Sequence, residues 1–251
     1  MLVLGHRGVP GEATENTLAS FDAARRAGAD GVELDVRLCA TGEVVCCHDA
    51  TLLRLAGEDV RVRTTAWADL LRHDLGGARL CRLDDALALW APHGVVNVEL
   101  KHDDVDVTAL ARAALAAIDR APRCAVIASS FDFAALAALA RLRPRLARAL
   151  LIPPLRHPES RFYLAEAARP GAVHAVHPWH GDATAERVAA WRARGLDVNP
   201  WTVDEPARAA ELRRDGVSMV ITNVPAAVLP SVRVEGDDAR RGQVRDRLLQ
   251  R

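Results

Sequence analysis

Short apolar, β-branched segments alternate with Ala-, Leu- and Arg-rich stretches of helical period along nearly the whole chain, and this alternation dictates the fold class. Strands are expected at 2–6, 31–36, 44–48, 95–101, 125–129, 149–152, 172–177, 197–201 and 219–222. Between them, helices are expected at 17–27, 107–118, 133–142, 185–194 and 206–214. In the first of these, Leu18, Phe21 and Ala24 recur three apart and Gly28 is placed to stop the helix. Strand–helix alternation builds βαβ units and a parallel sheet. A parallel crossover needs a dozen or more residues, and too few separate Asp35 from Val44, so the second and third strands must form an antiparallel hairpin. The remaining eight parallel strands make an α/β fold, a (β/α)8 TIM-type barrel with a β-hairpin after strand 2. A two-residue turn at Thr41-Gly42 pairs Ala40 with Glu43 and sets Asp35 opposite His48; a three-residue loop shifts the pairing by one. Residues 53–90 lack a clear strand and read as a short cap inserted over the barrel mouth. One catalytic domain is expected over 1–231, followed by a charged tail, 232–251, that forms a peripheral helix or stays disordered.

Composition narrows the function classes. Acidic and basic residues balance at 33 each, so nothing favours nucleic acid as a partner, and any phosphate recognition must be local. No apolar run approaches the ~20 residues of a membrane span, which argues against stable membrane insertion. The first residues have no signal-peptide pattern, and the five cysteines (39, 46, 47, 81 and 124) lack paired CxxC spacing. The expectation is a cytoplasmic protein with reduced thiols, Cys46 and Cys47 pointing to opposite faces of one strand. Lys101 is the single lysine among the 33 basic residues. A lone lysine in so arginine-rich a chain suits a position that needs a compact ammonium rather than a planar fork.

Barrel enzymes carry their chemistry at the C-terminal strand ends. Here those ends read His6-Arg7, then Glu33 and Asp35, then Glu99 and Lys101. Residues two apart on a strand share a face, so Glu33 sits with Asp35 and Glu99 with Lys101. Three converging carboxylates outnumber the two cations Arg7 and Lys101 and call for one divalent cation. All-oxygen ligation suits Mg2+ or Ca2+, or Mn2+, rather than Zn2+. A metal with Arg and Lys beside it is an arrangement for a phosphate group. His6 and His48 titrate near neutrality and can move protons to and from attacking and leaving oxygens. The residues alone therefore point to metal-assisted phosphoryl or phosphodiester chemistry.

The ordered string His6-Arg7-Gly8, Glu15-Asn16-Thr17, Glu33-Leu34-Asp35-Val36, His48-Asp49 with Leu52 and Arg54, Glu99-Leu100-Lys101, Ser129-Ser130-Phe131, Trp201-Thr202-Val203 and Ile221-Thr222-Asn223 before Pro225 resembles the glycerophosphodiester phosphodiesterase family. Each motif is weak alone; their order across residues 3–225 is specific. The resemblance implies a barrel enzyme that uses a divalent cation to release glycerol 3-phosphate and an alcohol. It implies His6 and His48 as the acid–base pair, Glu33, Asp35 and Glu99 as metal ligands, and Arg7 and Lys101 as phosphate contacts. In such enzymes the substrate's own neighbouring glycerol hydroxyl is thought to attack first, giving a cyclic phosphate that water opens. The chain departs from the family where Leu55 replaces a frequent Thr, where Leu80-Cys81-Arg82-Leu83-Asp84-Asp85 replaces a Pro-Thr-Leu-Glu-Glu pattern, and where Asn223 replaces a common Asp.

Competing readings stand beside these. The acids and bases could form a structural ion-pair network. Phe131 and Trp201 could line a glycerol or alcohol pocket or simply pack the core, and Glu15-Asn16-Thr17 could be only a helix start. His174, His177 and His180 recur every three residues, but in a strand over 172–177 His174 faces away from His177, which dissolves a zinc site. The enzymatic rival is a lysophospholipase-D-like activity. A cap carrying Arg61, Arg63, Asp69, Arg72, His73 and Asp74 is too polar for an acyl channel, which favours a small water-soluble glycerophosphodiester as substrate. The non-enzymatic rival is a barrel that binds a phosphorylated ligand.

Overall fold

The structure, a computed structural model, describes residues 1–251 except 93, 102–105, 122–123, 170, 235, 237 and 250–251. Its strands are β1 (Leu2–His6), β2 (Gly31–Leu38), β3 (Val44–Cys46), β4 (Val95–Leu100), β5 (Ala125–Ser130), β6 (Ala147–Ile152), β7 (Ala175–Pro178), β8 (Asp197–Val198) and β9 (Met219–Thr222). Its helices are α1 (Leu18–Arg26), α2 (Leu53–Ala56), α3 (Trp67–Leu70), α4 (Leu83–Trp90), α5 (Val107–Arg120), α6 (Phe133–Leu142), α7 (Ser160–Ala167), α8 (Ala185–Ala193), α9 (Pro206–Arg214), α10 (Pro225–Val232) and α11 (Asp238–Leu249). The parallel strands run in the order β8-β7-β6-β5-β4-β2-β1-β9, and β3 pairs antiparallel with β2. The two ends of this order meet through backbone hydrogen bonds from Ser218 N to Val198 O (3.1 Å), Ile221 N to Pro200 O (3.1 Å) and Val203 N to Ile221 O (2.8 Å). The expected (β/α)8 barrel is therefore the architecture observed.

Strands covered on both faces read as near-continuous apolar runs. Along β4, Val96, Val98 and Leu100 pack outward against the helices, while Val95, Asn97 and Glu99 point into the barrel. The interior is filled below the site by Leu2, Leu4, Ile127, Ala149, Met219 and Ile221. Gly31 is required where β2 meets β4, since a Cβ there would lie 1.9 Å from the Val95 carbonyl oxygen.

Several local expectations are corrected. The hairpin loop has three residues: Cys39 N bonds Glu43 O at 3.0 Å, and Gly42 adopts φ +93°. The left-handed glycine absorbs the extra residue, so the register shifts by one and Cys47, not His48, lies opposite Asp35, with Cys47 N on Asp35 O at 3.0 Å. The eighth barrel strand keeps only two residues of regular ladder with β7: Asn199 N and Trp201 N still bond Val176 O and Pro178 O at 2.9 and 3.1 Å, but Pro178 has no N–H to return. β7 begins at Ala175 rather than 172, leaving His174 outside the strand.

The insertion is shorter than 53–90. Its last eight residues are α4, which packs on α1 and α5 through Leu83, Ala86, Leu87 and Trp90, a helical i, i+3, i+4, i+7 spacing. α4 is thus a barrel helix, the crossover from β2 to β4. What remains wraps a small core of its own, in which Leu52, Val62, Leu70, Leu75 and Leu80 pack on Val45 and Cys47. Cys46 faces the main core from the other side of the same strand. The charged tail is a helix that belongs to the barrel: α11 lays Val244 and Leu248 against the interior cluster at the N-terminal strand ends. Arg241 reaches Asp30 there at 2.9 Å, and Arg247 reaches Asp197 at 3.4 Å.

His177 shares the inward face of β7 with Ala175 and is fully buried, its Nε2 2.9 Å from Asn199 Nδ2. Burial lowers its pKa from 6.5 to about 3. The folded chain therefore holds this ring neutral, and the unfolded chain takes up a proton first as pH falls. The resulting stability is complete above pH 6.5 and is lost from there down toward pH 3, by about 1.4 kcal/mol per pH unit. Denaturant unfolding of the native protein and of His177→Gln between pH 7 and 5 should show a shallower loss in the variant. Parallel curves would rule out this proton.

Candidate active site

The C-terminal end of β1 turns sharply. Arg7 has φ +55° and Gly8 φ +93°, and Arg7 N bonds the Glu33 carbonyl at 2.8 Å. A left-handed arginine costs about 1–3 kcal/mol, held here by its surroundings. Ser20 Oγ donates to Arg7 O at 3.0 Å and accepts from Val9 N at 2.8 Å, docking the turn on α1. A Cβ on Gly8 would lie 2.2 Å from that same Oγ, so the glycine following His6-Arg7 is needed for the close approach.

Glu33, Asp35 and Glu99 are buried and offer oxygens within 4.8 Å of one another. Asp35 accepts from Asn16 Nδ2 at 2.8 Å and lies 3.2 Å from Arg7 Nε and 2.8 Å from Lys101 Nζ. Lys101 Nζ also donates to Glu99 at 2.5 Å. Burial raises the Glu33 carboxyl well above its usual 4.5, and repulsion from Asp35 and Glu99 adds to this. Burial likewise pushes Glu99 up to about 7 against the attraction of Lys101. At Asp35 burial acts the same way, but Lys101 and Arg7 overcome it and hold the carboxyl far below the usual range. Three acids crowded against two cations, two of them reluctant to ionise, form a donor set that fits a divalent cation.

The two histidines have different partners. His6 Nδ1 lies 2.8 Å from Asn223 Oδ1, and Asn223 Nδ2 donates to Asp204 Oδ2 at 2.7 Å. A carboxylate only accepts, so the amide turns its NH2 to Asp204 and its oxygen to His6, which must donate from Nδ1. Nε2 is then the lone-pair nitrogen, 3.9 Å from Glu33 Oε2. His48 instead sets Nδ1 2.7 Å from the Asp49 carboxylate. Burial lowers both histidines below 6.5, aided at His6 by Arg7 and opposed at His48 by Asp35.

His6, Arg7, Glu33, His48, Glu99, Lys101, Phe131 and Trp201 line one cavity of about 160 Å3, with Leu151 and Ile221. Asp35 anchors Arg7 and Lys101 beside it. All nine residues singled out in the sequence thus converge. Phe131 and Trp201 meet edge to face at 5.7 Å and both wall the cavity. A more open lobe of about 320 Å3 shares His48, Glu99, Lys101 and Phe131 and adds Arg37, Asp49 and Ala50. Glu15-Asn16-Thr17 also divides its roles. Thr17 Oγ1 caps α1, Asn16 binds Asp35, and Glu15 accepts from Arg7 Nη1 at 2.9 Å. Asp204 and Leu151 carry no sequence signal, and Asn223 stands out only as a departure from the family pattern. Its motif position is the clue, since the amide stands where the family pattern often has Asp, and Asp204 supplies a carboxylate behind it.

Residues 6–227 match the glycerophosphoryl diester phosphodiesterase family. The chain belongs to this family. Members of the family are phosphoric diester hydrolases, and this chain is an enzyme of that kind. It is 29% identical over 246 residues to a glycerophosphodiester phosphodiesterase of Caldanaerobacter subterraneus subsp. tengcongensis, covering 94% of this chain and 99% of that one. The glycerophosphodiester phosphodiesterase of Thermotoga maritima superposes with TM-score 0.77 at 29% identity, over 93% and 98% of the two chains. An Oleispira antarctica phosphodiesterase solved with the product sn-glycerol-3-phosphate superposes with TM-score 0.82 at 25% identity, over 92% and 96%. No described helix is long and apolar enough to cross a membrane.

Proposed function

We propose that this chain hydrolyses small glycerophosphodiesters to glycerol 3-phosphate and an alcohol, with a divalent cation, Mg2+ or Ca2+, held by Glu33, Asp35 and Glu99. The observation that carries this is the buried acid cluster flanked by two histidines in one small cavity. When bound, the cation supplies Lewis-acid charge to the phosphate. Arg7 and Lys101 add fixed positive charge for the non-bridging oxygens. His6, neutral with a free Nε2 and an amide partner, is suited to take a proton as base. His48, backed by a carboxylate that favours its imidazolium, is suited to give one as acid. The open lobe beside His48 then receives the departing alcohol, while Phe131 and Trp201 wall the glycerol side. The Oleispira relative was solved with the product sn-glycerol-3-phosphate, which supports glycerol 3-phosphate as the product here.

The lobe's lining of Arg37, Asp49, Glu99 and Lys101 suits a polar head group and is poorly matched to an acyl chain. The insertion residues Arg61, Arg63, Asp69, Arg72 and Asp74 are exposed, which gives no apolar channel for a lysophospholipid. Five free cysteines accord with a cytoplasmic setting. Glycerol 3-phosphate release from glycerophosphocholine and glycerophosphoethanolamine should exceed hydrolysis of a lysophospholipid in kcat/KM. A preference for the lysolipid would overturn the substrate class, and no turnover of any diester would leave a binding barrel.

A further inference from the structure

We propose that Arg54, from the inserted segment, is a positioning residue that braces Arg7 and His48 together. Its guanidinium spans two carboxylates. Nη1 and Nη2 donate to Glu15 at 3.0 and 2.6 Å, and Nε donates to Asp49 Oδ2 at 2.6 Å. Glu15 passes this on to Arg7 Nη1 at 2.9 Å, and Asp49 presents its other oxygen to His48 Nδ1 at 2.7 Å. One side chain outside the barrel thus closes a continuous path from the phosphate-facing arginine to the proposed proton donor. This rests on the acid–base reading above.

Each end of the path needs the brace. Arg7 sits in a left-handed turn, held through Nε by Asp35 at 3.2 Å and through Nη1 by Glu15, so with Glu15 unheld the Nη end of its fork loses its fixed partner. Asp49 belongs to a half-exposed turn, and with Oδ2 released its carboxylate can rotate away from the imidazole. Arg54 itself is fixed by the insertion's fold. α2 ends on Gly57 at φ +72°, Leu52 N bonds Val60 O at 3.0 Å, and Leu52 is buried against Val45 and Cys47. The planar fork matters because one Nε and two Nη donors address two acids at once, which an ammonium cannot reproduce. The insertion therefore acts on the site as a strut from the side.

The Arg54 side chain is 48% exposed, so its removal opens a solvent-reachable slot the size of a guanidinium ion. Arg54→Ala and Arg54→Lys should each lower kcat by about 10–100-fold, as expected for misplaced catalytic groups. Guanidinium at tens of millimolar should restore most of the activity of Arg54→Ala and leave the native enzyme unchanged. The loss should shrink for an aryl phosphodiester, whose leaving group departs without the proton of His48. Native kcat in both variants overturns the proposal. So does a loss that guanidinium does not restore and that is equal for alkyl and aryl substrates, since that marks a merely structural residue. His48→Ala run alongside separates the two ideas. If it is crippled while Arg54→Ala is not, the brace fails and the acid–base reading stands; if it is unimpaired, the reading fails.

Discussion

His6→Ala and His48→Ala are each expected to lose roughly 10²–10⁴-fold in kcat with the fold intact, the factor a positioned acid or base supplies. In-line displacement at phosphorus needs a proton taken on the attacking side and one given on the leaving side. The two rings flank the same cavity, and their Nδ1 partners differ in charge, an amide for His6 and a carboxylate for His48. The assignment of base to His6 and acid to His48 is read most directly with an aryl phosphodiester. Its leaving group needs no proton, so His48→Ala should regain most of its rate and His6→Ala should stay crippled. The double variant should lose far less than the product of the single losses, because both groups act in one step. Equal rescue of both variants, or of neither, would end the division of labour.

Removing divalent cations with excess chelator is expected to abolish turnover, and Mg2+ or Ca2+ to restore it. The lysine and arginine paired with this cluster among the described residues are Lys101 and Arg7, and Arg7 is shared with Glu15. Burial, with repulsion from the neighbouring acids, raises Glu33 well above its usual value and Glu99 to about 7, so protons compete for both carboxylates. A cation must displace those protons, so its affinity should fall as pH drops through about 7. The same ion should raise Tm, a readout independent of catalysis, and Asp35→Asn or Glu99→Gln should abolish that rise. Full activity in chelator, or an unchanged Tm shift in those variants, would exclude this site.

Barrel and site were legible in the sequence for separable reasons. Strand–helix alternation is a period, and the counting argument that demanded a hairpin between Asp35 and Val44 needed only chain length. Strand parity put Glu33 with Asp35 and Glu99 with Lys101 on common faces without any coordinates. Loop conformation was less legible. Thr41-Gly42 suits a two-residue turn as well as the last two positions of a three-residue loop, and the Cys39 N–Glu43 O bond decides, with Gly42 left-handed and Thr41 not. α4 was hidden because its flanking insertion has no strand to mark where the barrel resumes, although Leu83, Leu87 and Trp90 carry the helical spacing. Asp204 was invisible because it meets Asn223 only once strands eight and nine are brought together. The extent of β8 turned on Pro178 of the neighbouring strand, whose missing N–H interrupts the ladder between them.

Lys101, lodged between Asp35 and Glu99 with its side chain 12% exposed, gives the chain a chemical handle. In an ordinary protein an amine-directed acylating reagent marks dozens of surface sites and says nothing about any of them. Here Lys101 is the single lysine, so apart from the terminal amino group the reagent has one amine target, and that target lines the cavity. The two carboxylates keep its ammonium protonated and slow to react. Acylation at this one position therefore records how tightly the surrounding acids hold it, and whether a ligand covers it, without mutation and without a substrate.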